Sequence, residues 1–233
     1  MTEAEWLACG DPWPMLAFLR GRASDRKLRL LACGCCRALW TDASVTGRAA
    51  VEAAERYADG RAGEAELDRA RGAAEGEADP DRWMWGDRGC GVAIAAVEAT
   101  RVPFRAVWPD GRVHERTTWD LMGSAVDSAV QAAATPVRTD PAALDGRGAC
   151  RLVRCCFGSP FRPAAFDPRW RTLDAVGLAR GMYDERAFDR LPLLADALMD
   201  AGCADDVIVA HCRGEGPHVR GCWVVDLILS KDR

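Results

Sequence analysis

Apolar residues recur three and four positions apart along most of the chain, and strictly alternating runs are few. That period predicts amphipathic helices. Trp6 and Leu7 belong to a short opening helix. Asp11-Pro12 starts a second, with Met15, Phe18 and Leu19 inward. Ser24 has the character of an N-cap, and the helix after it carries Leu28, Leu31, Cys35 and Leu39 on one stripe. An Ala-rich helix over 44–58 stops at Asp59-Gly60. A polar helix over 63–76 follows, with so few large apolar residues that it can bury only one thin face, and Asp79-Pro80 breaks it.

Residues 79–116 lose the period. Trp83, Trp85 and Trp108 lie here among Gly86, Gly89, Gly91, Pro103 and Pro109, with one short helix expected over 91–101. Pro109-Asp110-Gly111 has turn chemistry, so Phe104–Val113 can form a small hairpin. Helical spacing returns after Thr117-x-x-Asp120, which reads as a capping box. Asp140-Pro141 predicts the start of the next helix, running to Phe157. The two prolines of Gly158–Pro163 make a rigid extended loop. Thr172 caps a helix to Glu185. Phe188, Leu191, Leu194, Ala195 and Leu198 stripe another that ends at Gly202, Val207–Cys212 form a short third, and Trp223–Ile228 form the last.

Short helices on short loops predict antiparallel neighbours. The expected fold is all-α, an array or bundle of about nine to eleven short helices with an irregular Trp/Gly-rich insert. The expected organisation is one helical domain over 1–233, with 79–116 as its variable segment and 157–233 as a C-terminal subdomain.

Composition narrows the function classes. With 49% hydrophobic and 28% charged residues, the chain has a globular balance rather than a disordered one. No uncharged apolar run reaches the length of a membrane span. Lys+Arg 31 against Asp+Glu 35 gives a net charge of −4, and the basic residues are interleaved with acids, so a nucleic-acid partner is not expected. All but two of the basic residues are arginine, which the spacing does not explain. The first residues are acidic and lack a signal-peptide pattern, so a cytoplasmic location and reduced thiols are expected for the 11 cysteines. Cys33, Cys35, Cys36, Cys155 and Cys156 then read as small core fillers.

Four segments carry a resemblance: MTEAEWLACGDPWPMLAFLRGRASDRKLRLLACGCCRALW at 1–40, FGSPFRP at 157–163, YDERAFDRLPLLADALMDAGC at 183–203 and AHCRGEGPHVRGCWVVDLILSK at 210–231. Together they resemble an uncharacterised paralogous family of planctomycete bacteria, often carried in many copies per genome. The resemblance covers roughly half the chain, at both ends. The middle, 79–150, departs from it, and Cys155-Cys156 stand where the family carries polar or aliphatic residues. No established activity comes with the family. The resemblance implies a helical domain with fixed ends and a variable centre, which would suit partner diversification in bacterial conflict or signalling systems.

Chemistry-bearing residues concentrate near the C-terminus. His211, Cys212, His218 and Cys222 have spacings found in zinc sites, which use tetrahedral N/S ligands. No CxxC accompanies them, and packing of the same residues is the plain alternative, which the sequence favours. Arg213, His218, Arg220, Trp223 and Asp226 around a Gly/Pro loop suit an anionic or planar ligand, or brace that loop, with Arg220 or His218 pairing with Asp226. Trp83, Trp85 and Trp108 form either a recognition patch or the core of a lobe. No phosphate-binding glycine motif and no nucleophile motif occurs. No catalytic residue is assigned. The expected function is a non-enzymatic protein-interaction or adaptor module with a protein partner and no required cofactor. The alternative is a zinc-binding protein or enzyme built on the C-terminal His/Cys cluster.

Overall fold

The computed structural model describes residues 1–79, 88–107, 113–134 and 144–231. It is all-α, with twelve α-helices among the described residues, one above the expected range. In chain order these are α1 (Glu3–Ala8), α2 (Pro12–Leu19), α3 (Asp25–Ala38), α4 (Val45–Ala58), α5 (Glu64–Glu75), α6 (Arg88–Thr100), α7 (Thr118–Ala134), α8 (Gly146–Phe157), α9 (Leu173–Glu185), α10 (Leu191–Asp200), α11 (Asp206–Arg213) and α12 (Trp223–Leu229). No helix among the described residues is long and apolar enough to cross a membrane.

The caps explain most boundaries. Asp11 accepts from the Trp13 N–H at 3.0 Å, with Pro12 at the first helical position. Ser24, Thr172 and Asp205 cap α3, α9 and α11 in the same way. Thr117 and Asp120 close a reciprocal box at the start of α7: the Thr117 N–H donates to Asp120 Oδ2 at 2.9 Å, and the Asp120 N–H donates to Thr117 Oγ1 at 3.3 Å. One start differs from expectation. α8 begins at Gly146, where Asp145 accepts from the Gly148 N–H at 2.6 Å. The expected cap at Asp140-Pro141 lies outside the described residues. The small hairpin is present as β1 (Phe104–Val107) and β2 (Val113–Arg116), antiparallel, with Phe104 opposite Arg116 and Val107 opposite Val113.

Two compact units divide the chain: Met1–Ala8 with Arg151–Arg233, and Cys9–Cys150. The C-terminal subdomain expected over 157–233 is thus part of a unit that also takes in the first eight residues and the end of α8. In the Cys9–Cys150 unit, α3, α4, α6 and α7 pack on one another and α5 lies against α4 and α6. Cys33, Cys35 and Cys36 are buried within it, as core fillers, and α5 buries only Leu67 and Ala74. In the other unit, Tyr183, Leu191, Leu194, Leu198, Ile208, Val224 and Ile228 form the centre of the core.

The arginine excess acquires a physical role here. Four guanidinium groups each reach the last carbonyls of a helix distant in sequence. Arg29 donates to Ala99 and Arg101 O at the end of α6, and Arg154 to Trp6 and Leu7 O in α1. Arg171 donates to Leu227 and Ile228 O in α12, and Arg220 to Tyr183 and Asp184 O in α9. The last carbonyls of a helix lack intrahelical partners and carry the negative end of its dipole. A planar fork spans two of them, which a lysine ammonium cannot do. Arg220→Lys is therefore expected to lower the unfolding free energy by about 1–3 kcal/mol in denaturant titrations despite keeping the charge. An unchanged midpoint would remove this account of the arginines.

Candidate metal centre

Three helices and one loop of the Met1–Ala8/Arg151–Arg233 unit supply the site. α11 is started by Asp205, whose carboxylate accepts from the N–H groups of Val207 and Ile208, and its last turn carries His211. The loop from Gly214 to Gly221 carries His218. Cys222 stands at the N-cap of α12, and Cys155 comes from the last turns of α8. One ligand atom from each of Cys155, His211, His218 and Cys222 lies within 4.8 Å of every other.

The pairwise geometry is close to what a tetrahedral ion needs. His211 Nε2 is 3.2 Å from Cys222 Sγ, and His218 Nδ1 is 3.6 Å from Cys155 Sγ. Zinc bonds of about 2.0–2.3 Å at tetrahedral angles set neighbouring ligand atoms about 3.3–3.8 Å apart. His218 has the second contact that ligating histidines characteristically make. Its Nε2–H donates to Gly214 O at 3.2 Å, which leaves Nδ1 as the free lone pair facing the sulfurs. The His211 ring meets the His218 ring edge-on, with centroids 4.9 Å apart, and Trp223 packs 5.2 Å from His211 on its other side. Both cysteines are buried and both histidines are half-buried.

Two glycines permit this closeness. Gly158, at φ +64°, ends α8 under the Trp223 indole, and an added Cβ would sit 3.2 Å from that ring. Gly216, at φ +77°, lies against His218, where a Cβ would come within 3.1 Å of the imidazole Cδ2. Both positions combine a left-handed backbone with no room for a side chain. Gly158→Ala is expected to cost about 1–3 kcal/mol and to weaken metal retention, read by denaturation and by metal content.

The electrostatics favour a thiolate at one sulfur. Burial alone would raise Cys222, but the Cys155 hydrogen bond and the His211 and His218 imidazoles outweigh it and hold this thiol well below its ordinary range. Giving its proton to Cys222, together with burial, pushes Cys155 up. Burial disfavours the charged form of His218, yet its contact with Cys222 raises it. A depressed thiol contributes stability above its unfolded value, about 8.5, and loses it as pH falls through the folded value. The Cys222 contribution to the stability of the metal-free protein should therefore grow as pH rises through that interval, against the opposite contribution of the raised His218. Cys222→Ser should flatten this rise in urea titrations run at several pH values.

The structure unites three of the four sequence candidates, His211, His218 and Cys222, and replaces the fourth. Cys212 is not in the cluster. It follows His211 on α11, where successive side chains diverge by a large angle, so it points into the core. Burial pushes its thiol up, with Cys203 and Cys222 adding to the effect. Cys155, expected as core filler, takes its place. No local spacing signals this, because Cys155 lies 56 positions before His211.

The Arg/Trp constellation does not converge on a ligand. The Arg220 fork is turned to the α9 carbonyls, and Arg213 pairs with Asp196 at 2.8 Å. Trp223 is a buried wall of the cluster and Asp226 is fully buried in α12. Trp83, Trp85 and Trp108 lie outside the described residues. Compared with protein-family models, curated proteins and solved structures, the chain finds no match.

Proposed function

We propose that this protein holds one zinc ion in a structural Cys2His2 site made by Cys155, His211, His218 and Cys222. The carrying observation is the convergence of these four ligand atoms within 4.8 Å of one another. The donor set, two sulfurs and two imidazole nitrogens, suits zinc in both hardness and geometry. Four protein ligands fill a tetrahedral shell and leave no open position for a substrate. That supports a structural ion rather than a hydrolytic one, in keeping with a non-enzymatic helical module. The ion would tie the end of α8 to the α11–α12 loop, two segments that otherwise meet through packing and the weak Cys155–His218 contact.

Elemental analysis of the untagged protein, expressed with zinc and dialysed against a weak chelator, is expected to give about one zinc per chain. His218→Ala and Cys222→Ser should lose it, while Cys212→Ala should keep it. Cobalt substitution should add tetrahedral d–d bands and a thiolate charge-transfer band. Zinc at background level in the wild-type chain would end this reading.

A further inference from the structure

We infer that the same cluster is a redox-controlled metal site, in which a hydroperoxide converts Cys155 and Cys222 to a disulfide and expels the zinc. This rests on the zinc reading above. The argument begins with placement. The two sulfurs lie within 4.8 Å of each other in the cluster, although 67 positions separate them in sequence. A disulfide between them would join the same two segments that the ion joins, the end of α8 and the start of α12. The unit would thus keep one cross-link while exchanging it for another.

Most other described cysteines are poorly placed for such a step. Cys35 and Cys36, like Cys155 and Cys156, are successive on a helix and diverge. Cys33 is buried and donates to Val51 O at 3.8 Å. Cys9 is half-buried in the Cys9–Cys150 unit and contacts Asp11 O at 3.0 Å. The competitor is Cys212, whose thiol is influenced by Cys222 and Cys203. The two sulfurs are buried and the two imidazoles half-buried, so a small peroxide should reach the sulfurs faster than a bulky oxidant.

The chemistry balances with the peroxide as the sole oxidant. The Cys222 thiolate attacks one peroxide oxygen. An S–O bond forms, the O–O bond breaks, and the departing hydroxide takes a proton to become water. The Cys155 thiolate then attacks the Cys222 sulfur. The S–S bond forms, the S–O bond breaks, and a second proton makes a second water. The two sulfurs together give two electrons to the peroxide. Their lone pairs no longer serve the ion, and two imidazoles alone hold zinc weakly.

The test uses the zinc-loaded full-length chain, hydrogen peroxide and a chromogenic zinc chelator, with thiol counting and peptide mapping on the same samples. About one zinc should be released for every two thiols lost. The peptides containing Cys155 and Cys222 should be linked, and dithiothreitol with added zinc should restore the starting state. Diamide, which is larger, should release zinc several-fold more slowly than peroxide at equal thiol consumption. Zinc that stays bound while thiols are consumed would overturn the inference and leave the zinc reading standing. So would release accompanied by a Cys212–Cys222 link, or by oxidised but unlinked Cys222. A chain that takes up no zinc would sink the zinc reading itself. All these readouts come from the wild-type protein, so none depends on a variant that folds poorly.

Discussion

Chelation is expected to lower the thermal midpoint of the Met1–Ala8/Arg151–Arg233 unit by about 15–30 °C. An ion present at a thousand times its dissociation constant stabilises the form that binds it by about 4 kcal/mol. In a unit of about ninety residues each kcal/mol moves the midpoint by about 4–8 °C. The signal should be confined to that unit, because all four ligands belong to it. Calorimetry with and without a strong zinc chelator should show one transition moving and the other fixed. His218→Ala should start at the chelated midpoint and no longer respond to chelator. Cys212→Ala removes core volume and will melt earlier, yet its response to chelator should persist. Two superimposable scans of the wild-type protein would contradict the structural role of the ion.

Trp6→Ala should destabilise the same unit by about 3–5 kcal/mol, the range for emptying a buried aromatic site. Trp6 is 0% exposed, although α1 has only six residues. Its ring meets Phe161 edge-on, with centroids 6.4 Å apart, and the Arg154 guanidinium holds its carbonyl at 2.8 Å. The exposed neighbour Leu7 gives the control, since Leu7→Ala should change the midpoint little. A Trp6→Ala protein with a wild-type denaturation curve would show that α1 is an appendage and not part of the core.

Local chemistry in the sequence predicted local structure well. Ser24, Thr172 and the Thr117/Asp120 box act within three or four residues of their partners, and each is found capping its helix. The polar composition of 63–76 predicted one thin face, and only Leu67 and Ala74 are buried there. The site was partly legible for the same reason. His211, His218 and Cys222 sit within twelve residues of chain, so their spacing already suggested a shared centre. Cys155 was not legible, because its contribution depends on how α8 packs in three dimensions. Cys212 misled because closeness in sequence is not closeness of side chains on a helix. The spacing did not explain the arginines, since a donor aimed at carbonyls of a distant helix leaves no pattern near itself.

The pairing of Trp6 with Phe161 has a consequence for synthesis. The two residues are 155 positions apart. At about 5–20 residues per second, Trp6 is made about 8–30 s before its partner exists. The intervening unit, Cys9–Cys150, precedes that partner in synthesis and can fold first, with the Trp6 ring still uncovered. Its cover arrives only with the segment that brings Cys155, so the burial of this ring and the α8 side of the His/Cys cluster are completed in the same stretch of translation.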